Sequence, residues 1–172
     1  TKILSDEHKN ILLVIDALEK ECDLIKSGKE LDKDFAFKVI EFIRNYADKF
    51  HHAKEEDILF KEFCKKSEAG RLHCNPVEQM LYEHDMGRGF VNGMDKGAKT
   101  GNKRKFVESS TSYIMLIREH IFKEDNILYP MTEQVLDNKE KSSMLKKFKG
   151  IERKKGKEIK KYLTFVGEIK AR

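Results

Sequence analysis

Apolar residues recur at intervals of three and four positions along almost the whole chain, which is the period of an amphipathic helix. In the first such stretch Ile11, Leu12, Ile15 and Leu18 form an apolar stripe, and Gly28 gives the stop signal after it. No segment shows the sustained alternation of apolar and polar residues that a half-buried strand would have. The pattern therefore predicts an all-α protein.

Turn signals divide this pattern into five stretches. Gly70 and Gly101 end two of them, Asn75 is expected to cap the third helix, and Pro76 fits its first turn. Pro130 is expected to end or kink the fourth helix, unless that helix continues through the apolar positions that follow. The helices are expected at about residues 5–27, 32–66, 75–99, 103–128 and 139–169.

The short connections between these long helices favour antiparallel neighbours, and hence an up-down-up-down four-helix bundle. We expect the bundle to occupy residues 1–137. The amphipathic basic C-terminal helix, residues 138–172, is expected to pack on the same domain. A chain of 172 residues is long enough to bury a sizeable core as one domain.

The formal net charge of +5 is concentrated in the C-terminal helix. Residues 139–172 contain 13 Lys and Arg against 4 Asp and Glu, so the rest of the chain is slightly acidic. Because this helix also has an apolar stripe, we expect the stripe to cover the bundle or a partner subunit while the lysines face water. On this interpretation no nucleic-acid or membrane partner is expected, and the oligomeric state is left open.

Two further features concern the compartment. No apolar run approaches the roughly 18 residues of a membrane span. The three cysteines, Cys22, Cys64 and Cys74, are odd in number and form no CxxC pair, which is typical of reduced thiols. A cytoplasmic location is therefore expected.

The chain contains His-x-x-x-Glu twice, at His51 and Glu55 and again at His120 and Glu124, each followed by an acid and an apolar triplet. Residues four apart share a helix face, so each copy presents one imidazole and one carboxylate together. Two carboxylates facing each other inside an apolar bundle would each cost several kcal/mol of desolvation unless cations lie between them. Imidazole and carboxylate together suit iron, manganese or zinc.

Histidines on the other two helices fit the same site. His8 lies near the start of the first helix and His84 in the first half of the third, so both can reach the level of His51 and His120. The spacing thus predicts a dinuclear metal centre with ligands from four helices. A ferritin-like bundle is not favoured, because the chain lacks its two Glu-x-x-His motifs.

The doubled histidine leaves two registers open, His51 with Glu55 or His52 with Glu56. The overlay on the second copy favours the first register. An α-helical wheel also places His52 on a polar face beside Asp48, where it is expected to meet solvent. His52 is nevertheless kept as an additional candidate ligand. In the second copy Asp125 is the runner-up to Glu124.

Several neighbouring residues are expected to be structural. Glu83 is expected to face solvent, and Arg88 to form a surface ion pair rather than hold a carboxylate near the site. Tyr113 and Tyr129 are expected to pack in the core, although either could form a hydrogen bond at the site.

The motifs "DEHKNIL" at 6–12, "HHAKEEDILF" at 51–60, "PVEQMLYEHDMGRG" at 76–89 and "HIFKEDNILYPM" at 120–131 together resemble the hemerythrin-like (HHE cation-binding) domain over roughly the first 137 residues. The resemblance implies a four-helix bundle around a non-haem di-iron centre with an oxo or hydroxo bridge. It also implies the ligands: His8 and His51 on one iron, His84 and His120 on the other, and Glu55 and Glu124 bridging the two.

One departure from the family pattern affects the expected function. Respiratory hemerythrins have a further histidine four positions before the one on the third helix, and here that position is Met80, which is expected in the core. Fewer protein ligands leave more positions for small molecules. We therefore expect a metal-binding protein that binds or reacts with dioxygen, peroxide or nitric oxide, in sensing, storage or stress defence. The alternatives are a peroxidase-like or oxidase-like di-iron enzyme and an iron-handling protein for iron–sulfur cluster repair.

Overall fold

The computed structural model describes residues 1–68 and 75–171. Within these residues the protein is all-α, as predicted, and contains no strand. We number five helices in chain order. They are α1 (Lys2–Lys26), α2 (residues 33–68), α3 (Asn75–Thr100), α4 (residues 103–135) and α5 (Asn138–Lys170). The predicted stop at Gly70 and the predicted cap by the Asn75 side chain lie outside the described part of the chain.

Side-chain caps and glycines set several of the helix ends. Asp32 accepts a hydrogen bond from a backbone amide at the start of α2, and Asn102 does so at the start of α4. Asp137 forms a reciprocal capping box at the start of α5. Gly28 (φ 105°) and Gly101 (φ 69°) adopt the left-handed backbone that ends a helix most readily at glycine.

Helices α2 and α4 contain π-helical turns, which have hydrogen bonds five residues apart. In α2 they are Ile43–His52 and Glu55–Leu59, and in α4 Glu124–Leu128. The α-helical segment Tyr129–Val135 follows in α4, so this helix continues through Pro130. Of the alternatives left open at Pro130, the chain therefore adopts continuation of the helix rather than an end near Leu128. Because proline has no backbone N–H to donate, a change of hydrogen-bonding pattern just before Pro130 is physically reasonable.

The first four helices pack in a ring in which α1 contacts α2, α2 contacts α3, α3 contacts α4, and α4 contacts α1. The α3–α4 contact is close because Gly97 has no side chain, and a Cβ there would lie 2.6 Å from the backbone nitrogen of Phe106. Helix α5 packs on α1 and α2. The up-down-up-down order and a domain boundary at residue 137 stay predictions.

Two apolar clusters fill the bundle at different levels. The larger includes Ile11, Phe50 and Ile117, and the smaller includes Leu4 and Tyr129. The repeated His-x-x-x-Glu motifs occur along α2 and α4 between residues of the larger cluster and residues of the smaller one. The polar site thus has apolar packing on both sides along the bundle axis.

Two observations concern the compartment. Over residues 1–68 and 75–171, no helix combines the length and apolar character needed to cross a membrane. Cys22 is a buried free thiol, but Cys64 is disulfide-bonded, so the prediction of reduced thiols is wrong at Cys64. Cys74 lies outside the described residues.

Candidate metal centre

Seven buried side chains from the first four helices meet between the two apolar clusters. Their potential ligand atoms form two groups, and the atoms of each group lie within 4.8 Å of one another. The first group, which we call cluster A, is His8, His51, Glu55 and Glu124, and the second, cluster B, is His52, Glu55, His84 and His120. All six ligands predicted from the sequence are therefore brought together, and His52 joins them. That these residues bind metal stays a prediction.

In cluster A the imidazoles of α1 and α2 face each other. His8 Nε2 and His51 Nε2 are 2.9 Å apart. His8 Nε2 is 3.3 Å from Glu124 Oε2, and His51 Nε2 is 3.6 Å from Glu55 Oε1. Two nitrogens and two carboxylate oxygens thus converge on one point.

In cluster B the imidazoles of α3 and α4 repeat this arrangement. His84 Nε2 and His120 Nε2 are 3.1 Å apart. His84 Nε2 is 3.6 Å from Glu55 Oε2, and His120 Nε2 is 3.3 Å from Glu124 Oε2. The ring of His52 stacks on that of His84 with a centroid distance of 3.8 Å. Cluster B therefore has three imidazoles where cluster A has two.

The two carboxylates lie between the clusters. Glu55 directs Oε1 toward cluster A and Oε2 toward cluster B. Glu124 has one oxygen, Oε2, 3.3 Å from both His8 and His120, which belong to different clusters. Each carboxylate is placed where it could bridge two cations.

The π-helical turns explain why both neighbouring histidines of α2 face the interior. An α-helix separates adjacent side chains by about 100°, since it has 3.6 residues per turn. A π turn has more residues per turn, so adjacent side chains diverge less. Both His51 and His52 lie in the π segment Ile43–His52, and they are 1 % and 6 % exposed. The expectation that His52 meets solvent is therefore wrong, because it assumed α-helical geometry.

The alternative pairing of His52 with Glu56 is not what the chain adopts. Glu56 belongs to neither cluster, and its Oε1 lies 2.7 Å from Nδ1 of His84. His52 instead shares cluster B with Glu55. Asp125, the runner-up to Glu124, likewise stays outside the clusters and contacts His8 Nδ1 at 3.1 Å.

The hydrogen-bonding state of these atoms fits bound cations. Glu55 Oε2 and both carboxylate oxygens of Glu124 are buried without a hydrogen-bond partner. Buried polar atoms normally have one, and unpaired buried carboxylates are especially costly. Imidazole nitrogens and carboxylates form a donor set for iron, manganese or zinc. The residues present therefore suit a pair of such ions.

The pKa shifts of the histidines and carboxylates show where the metal-free site favours positive charge. Burial lowers the pKa of His8, but the close carboxylates of Asp125 and Glu124 outweigh it and raise the pKa to about 9. Burial also lowers the pKa of His120, but the nearby Glu124 carboxylate outweighs it and raises the pKa to about 10. Burial raises the pKa of Glu55 well above its usual range, and the charge of Glu124 adds to this. Protons thus take positions that cations would occupy, so metal and protons compete.

A second set of hydrogen bonds fixes the imidazoles. It occurs once in each half of the bundle, where one half is α1 with α2 and the other is α3 with α4. His51 Nδ1 lies 2.9 Å from Glu7 Oε2, and Lys54 also contacts the Glu7 carboxylate. Such carboxylate–histidine contacts orient metal-binding imidazoles. Lys54 is completely buried and stands over the ring of Phe50, 3.9 Å from its centroid.

The other half has the matching contacts. His120 Nδ1 lies 2.9 Å from Glu83 Oε2, and Lys123 contacts the same carboxylate. Glu83 is only 5 % exposed, so the expectation that it faces solvent is wrong. Burial raises its pKa, but the hydrogen bonds from His120 and Lys123 outweigh this and bring the pKa to about 2. Glu7 and Glu83 each directly precede a candidate histidine ligand, which is the sequence signal that could have identified them.

Arg88 acts on the site through a carboxylate. Its guanidinium donates to Glu56 Oε1 at 2.7 Å and to Asp48 Oδ1 at 2.7 Å and 3.0 Å. Because Glu56 in turn contacts His84, Arg88 holds the group that orients this imidazole. The expectation of a simple surface ion pair is therefore incomplete.

Tyr129 also takes part in the site rather than only packing in the core. Its hydroxyl donates a hydrogen bond to Glu55, and its ring stacks on His8 with a centroid distance of 5.6 Å. Burial raises the pKa of Tyr129 well above its usual range, so it is a neutral donor. Met80, in contrast, is 3 % exposed within the smaller apolar cluster, as expected.

Comparison with known proteins identifies a family. The family model of the hemerythrin HHE cation binding domain matches residues 1–132, which include all the residues of both clusters. The resemblance read from the sequence motifs is thereby confirmed. No curated protein and no solved structure shows a significant match to the chain.

Proposed function

The chain belongs to the hemerythrin HHE cation-binding domain family, and we propose that it binds two iron ions in a dinuclear non-haem centre that reacts with dioxygen, peroxide or nitric oxide. The observation that carries this proposal is the position of Glu55 and Glu124 between two imidazole clusters. Two buried carboxylates with three oxygens that lack a hydrogen bond, each close to imidazoles of both clusters, are best explained by two cations.

In this proposal His8 and His51 hold the ion of cluster A, and His52, His84 and His120 hold the ion of cluster B. Glu55 and Glu124 bridge both. His52 then supplies from α2 the imidazole that respiratory hemerythrins supply from the third helix. A pair of bound iron ions supplies the redox and oxygen chemistry that the side chains themselves lack.

The surrounding residues hold the ligands in position. Glu7 and Glu83 accept hydrogen bonds from Nδ1 of His51 and His120, so each Nε2 is free to face the centre. Lys54 and Lys123 balance the charge of these two outer carboxylates. Tyr129 holds Glu55 by a hydrogen bond on the side of cluster A.

Sensing, storage or stress defence is the preferred role. A peroxidase-like or oxidase-like enzyme is the second candidate, and one observation favours it: a cavity of about 280 Å³ is lined by the three histidines of cluster B. Such a volume exceeds what a diatomic molecule needs, since a cavity of roughly 10–15 Å³ is enough to hold one water molecule.

Reactivity tests the proposal. Iron-loaded, anaerobically reduced protein is mixed separately with dioxygen, hydrogen peroxide and nitric oxide while near-ultraviolet and visible absorption is recorded. We expect at least one of them to produce the new absorption of an oxidised or ligand-bound iron pair. The variant Glu124→Gln should lose this change, whereas Glu21→Gln, which alters a buried carboxylate of α1 paired with Lys29, should keep it. A wild-type protein that holds iron but responds to none of the three would contradict the proposal.

A further inference from the structure

The two halves of the bundle are related position by position. His84 follows His8 by 76 residues, and His120 follows His51 by 69 residues. The contacts repeat with the same offsets, because the contact of Glu7 with His51 corresponds to the contact of Glu83 with His120. This correspondence predicts which residues of one half should occupy the places of residues in the other.

The correspondence fails at a position one turn after the first histidine of each half. Ile11 follows His8 by three residues and is completely buried. The equivalent residue after His84 is Gly87, which has no side chain to fill the same space. Gly87 lines the cavity of about 280 Å³ beside cluster B, which we call the chamber. A Cβ placed on Gly87 would lie 3.4 Å from the ring of Tyr113.

The chamber leads to only one side of the proposed centre. His52, His84 and His120 line it, whereas neither His8 nor His51 is among the lining residues. Its walls are largely apolar, with contributions from α2, α3 and α4. They include Ile43, Val91, Leu116 and Ile117. The hydroxyl of Tyr113, another lining residue, is buried without a hydrogen-bond partner.

The arginines that line the chamber are paired within the protein, and Lys49, the one lysine among the lining residues, is exposed to solvent. Arg88 is paired with Asp48 at 2.7 Å, and Arg44 with Asp95 at 3.2 Å. A charged ligand would therefore lose its hydration without gaining a buried, unpaired counter-charge. An uncharged ligand with an apolar body avoids this cost. Apolar cavities of about 150 Å³ admit benzene, so the chamber has room for a single aromatic ring or a short branched chain.

We propose that the chamber binds a small uncharged organic molecule with one hydroxyl group, an alcohol or a phenol, with its oxygen near Tyr113 and the histidines of cluster B. The apolar walls enclose the body of the molecule, and the Tyr113 hydroxyl provides the hydrogen-bond partner for its oxygen. The inference deepens the proposed function by naming the class of organic molecule that reaches the ion of cluster B. It rests on the proposed function for the presence of that ion.

Binding is tested on the intact 172-residue chain as purified, in ligand-detected NMR titrations. Benzyl alcohol and phenol are the probes, and toluene and benzoate are the comparisons. We expect at least one of the two hydroxyl compounds to bind more tightly than toluene, and benzoate not to bind. Tyr113→Phe should reduce that preference over toluene by about fivefold, the usual magnitude of one hydrogen bond.

Filling the chamber provides the decisive variants. Gly87→Leu should abolish binding of the hydroxyl compound, while Gly89→Leu, two residues away at an exposed position with open space around it, should leave binding unchanged. If Gly87→Leu fails to fold, Leu116→Phe fills the same chamber from α4. Equal binding by wild type and a folded chamber-filling variant, or tighter binding of benzoate, would overturn the inference.

Metal analysis of the same samples separates this inference from the proposed function. Chamber binding in a protein that never takes up iron would support the inference and contradict the dinuclear centre. Iron binding without binding of either hydroxyl compound would contradict the inference and leave the dinuclear centre supported.

Discussion

His51 Nδ1 lies 2.9 Å from an oxygen of Glu7, and this contact turns the opposite nitrogen of the imidazole toward His8 and cluster A. The partner is the residue immediately before His8, so one turn of α1 both contributes a histidine and orients another. Glu83 does the same for His120. The candidate centre is thus held by contacts between helices as well as by the spacing within each helix.

Removing one of these orienting carboxylates should weaken metal binding without abolishing it. We expect Glu7→Gln and Glu83→Gln each to lower metal affinity by about 10-fold to 100-fold, the usual effect of losing such a hydrogen-bond partner. Competition with a chelator of known affinity measures the change. The exposed carboxylate Glu108, paired with Arg104 on α4, gives the control Glu108→Gln. Unchanged affinity in both Glu7 and Glu83 variants would show that these contacts do not orient the ligands.

His52 should be required for one of the two ions. The equivalent position in the other half is Ile121, which is 4 % exposed, so an aliphatic side chain fits such a place in this bundle. We expect His52→Ile to fold and to lose the ion of cluster B preferentially, as measured by metal analysis together with circular dichroism. His51→Ile should instead affect cluster A. A His52→Ile protein with undiminished metal content would remove His52 from the ligand set.

The hydrogen bond from Tyr129 to Glu55 should stabilise the protein. Phe60 takes the equivalent position in the other half and is buried, so Tyr129→Phe preserves the shape while removing the donor. Leaving the buried Glu55 without this partner should lower the free energy of unfolding of the metal-free protein by about 1–3 kcal/mol. Urea denaturation measures the loss. Tyr82→Phe, at a tyrosine that is 61 % exposed, is the control and should change little.

Stability of the metal-free protein should fall as the pH rises from about 6.5 to about 10. The folded-state pKa of His8 is raised to about 9 and that of His120 to about 10, whereas unfolded histidine titrates near 6.5. A raised pKa contributes stability that is fully present below the unfolded value and is lost as the pH rises through the folded one. The raised pKa of Glu55 acts in the same direction.

Metal affinity should rise over the same pH range, because ions displace the protons held by these histidines. Thermal melting of metal-free and metal-loaded samples at several pH values tests both trends. The two melting curves should separate further as the pH increases. Convergence of the curves at high pH, before hydroxide precipitates the metal, would contradict the proposed ligand assignment.

Much of the fold was predictable because local rules determine it. Apolar periodicity and glycine stops located the five helices, and Gly28 and Gly101 both end a helix as expected. Helix α4 also continues through Pro130, an alternative that the sequence left open, and a π turn lies just before this proline. Single-sequence patterns based on α-helical geometry do not reveal such a turn.

The part of the candidate site that depends on residue spacing within a helix was predictable from the sequence. His51 with Glu55 and His120 with Glu124 are four residues apart, and their convergence follows from the bundle. His52 was predicted only as an additional candidate on a solvent-facing side, since its buried position depends on a π segment. The orienting contacts of Glu7 and Glu83 also join different helices, so the register between helices decides them.

The chamber beside cluster B could not be predicted either. It arises because Gly87 occupies the place that Ile11 fills in the other half, and this equivalence appears only after the two halves are aligned by their contacts. The charged residues near the chamber did not indicate it in the sequence. Arg88 is expected there to form a surface ion pair, whereas in the structure it is paired with Asp48 and Glu56.

The most direct test of the dinuclear centre is the stoichiometry of iron binding to the metal-free protein. Anaerobic titration with ferrous iron, followed by removal of free metal and elemental analysis, should give two ions per chain, one for each cluster. Glu55→Gln should lose most of both, because Glu55 belongs to both clusters. A wild-type protein that binds one ion or none, or a Glu55→Gln variant that keeps both, would contradict the centre described above.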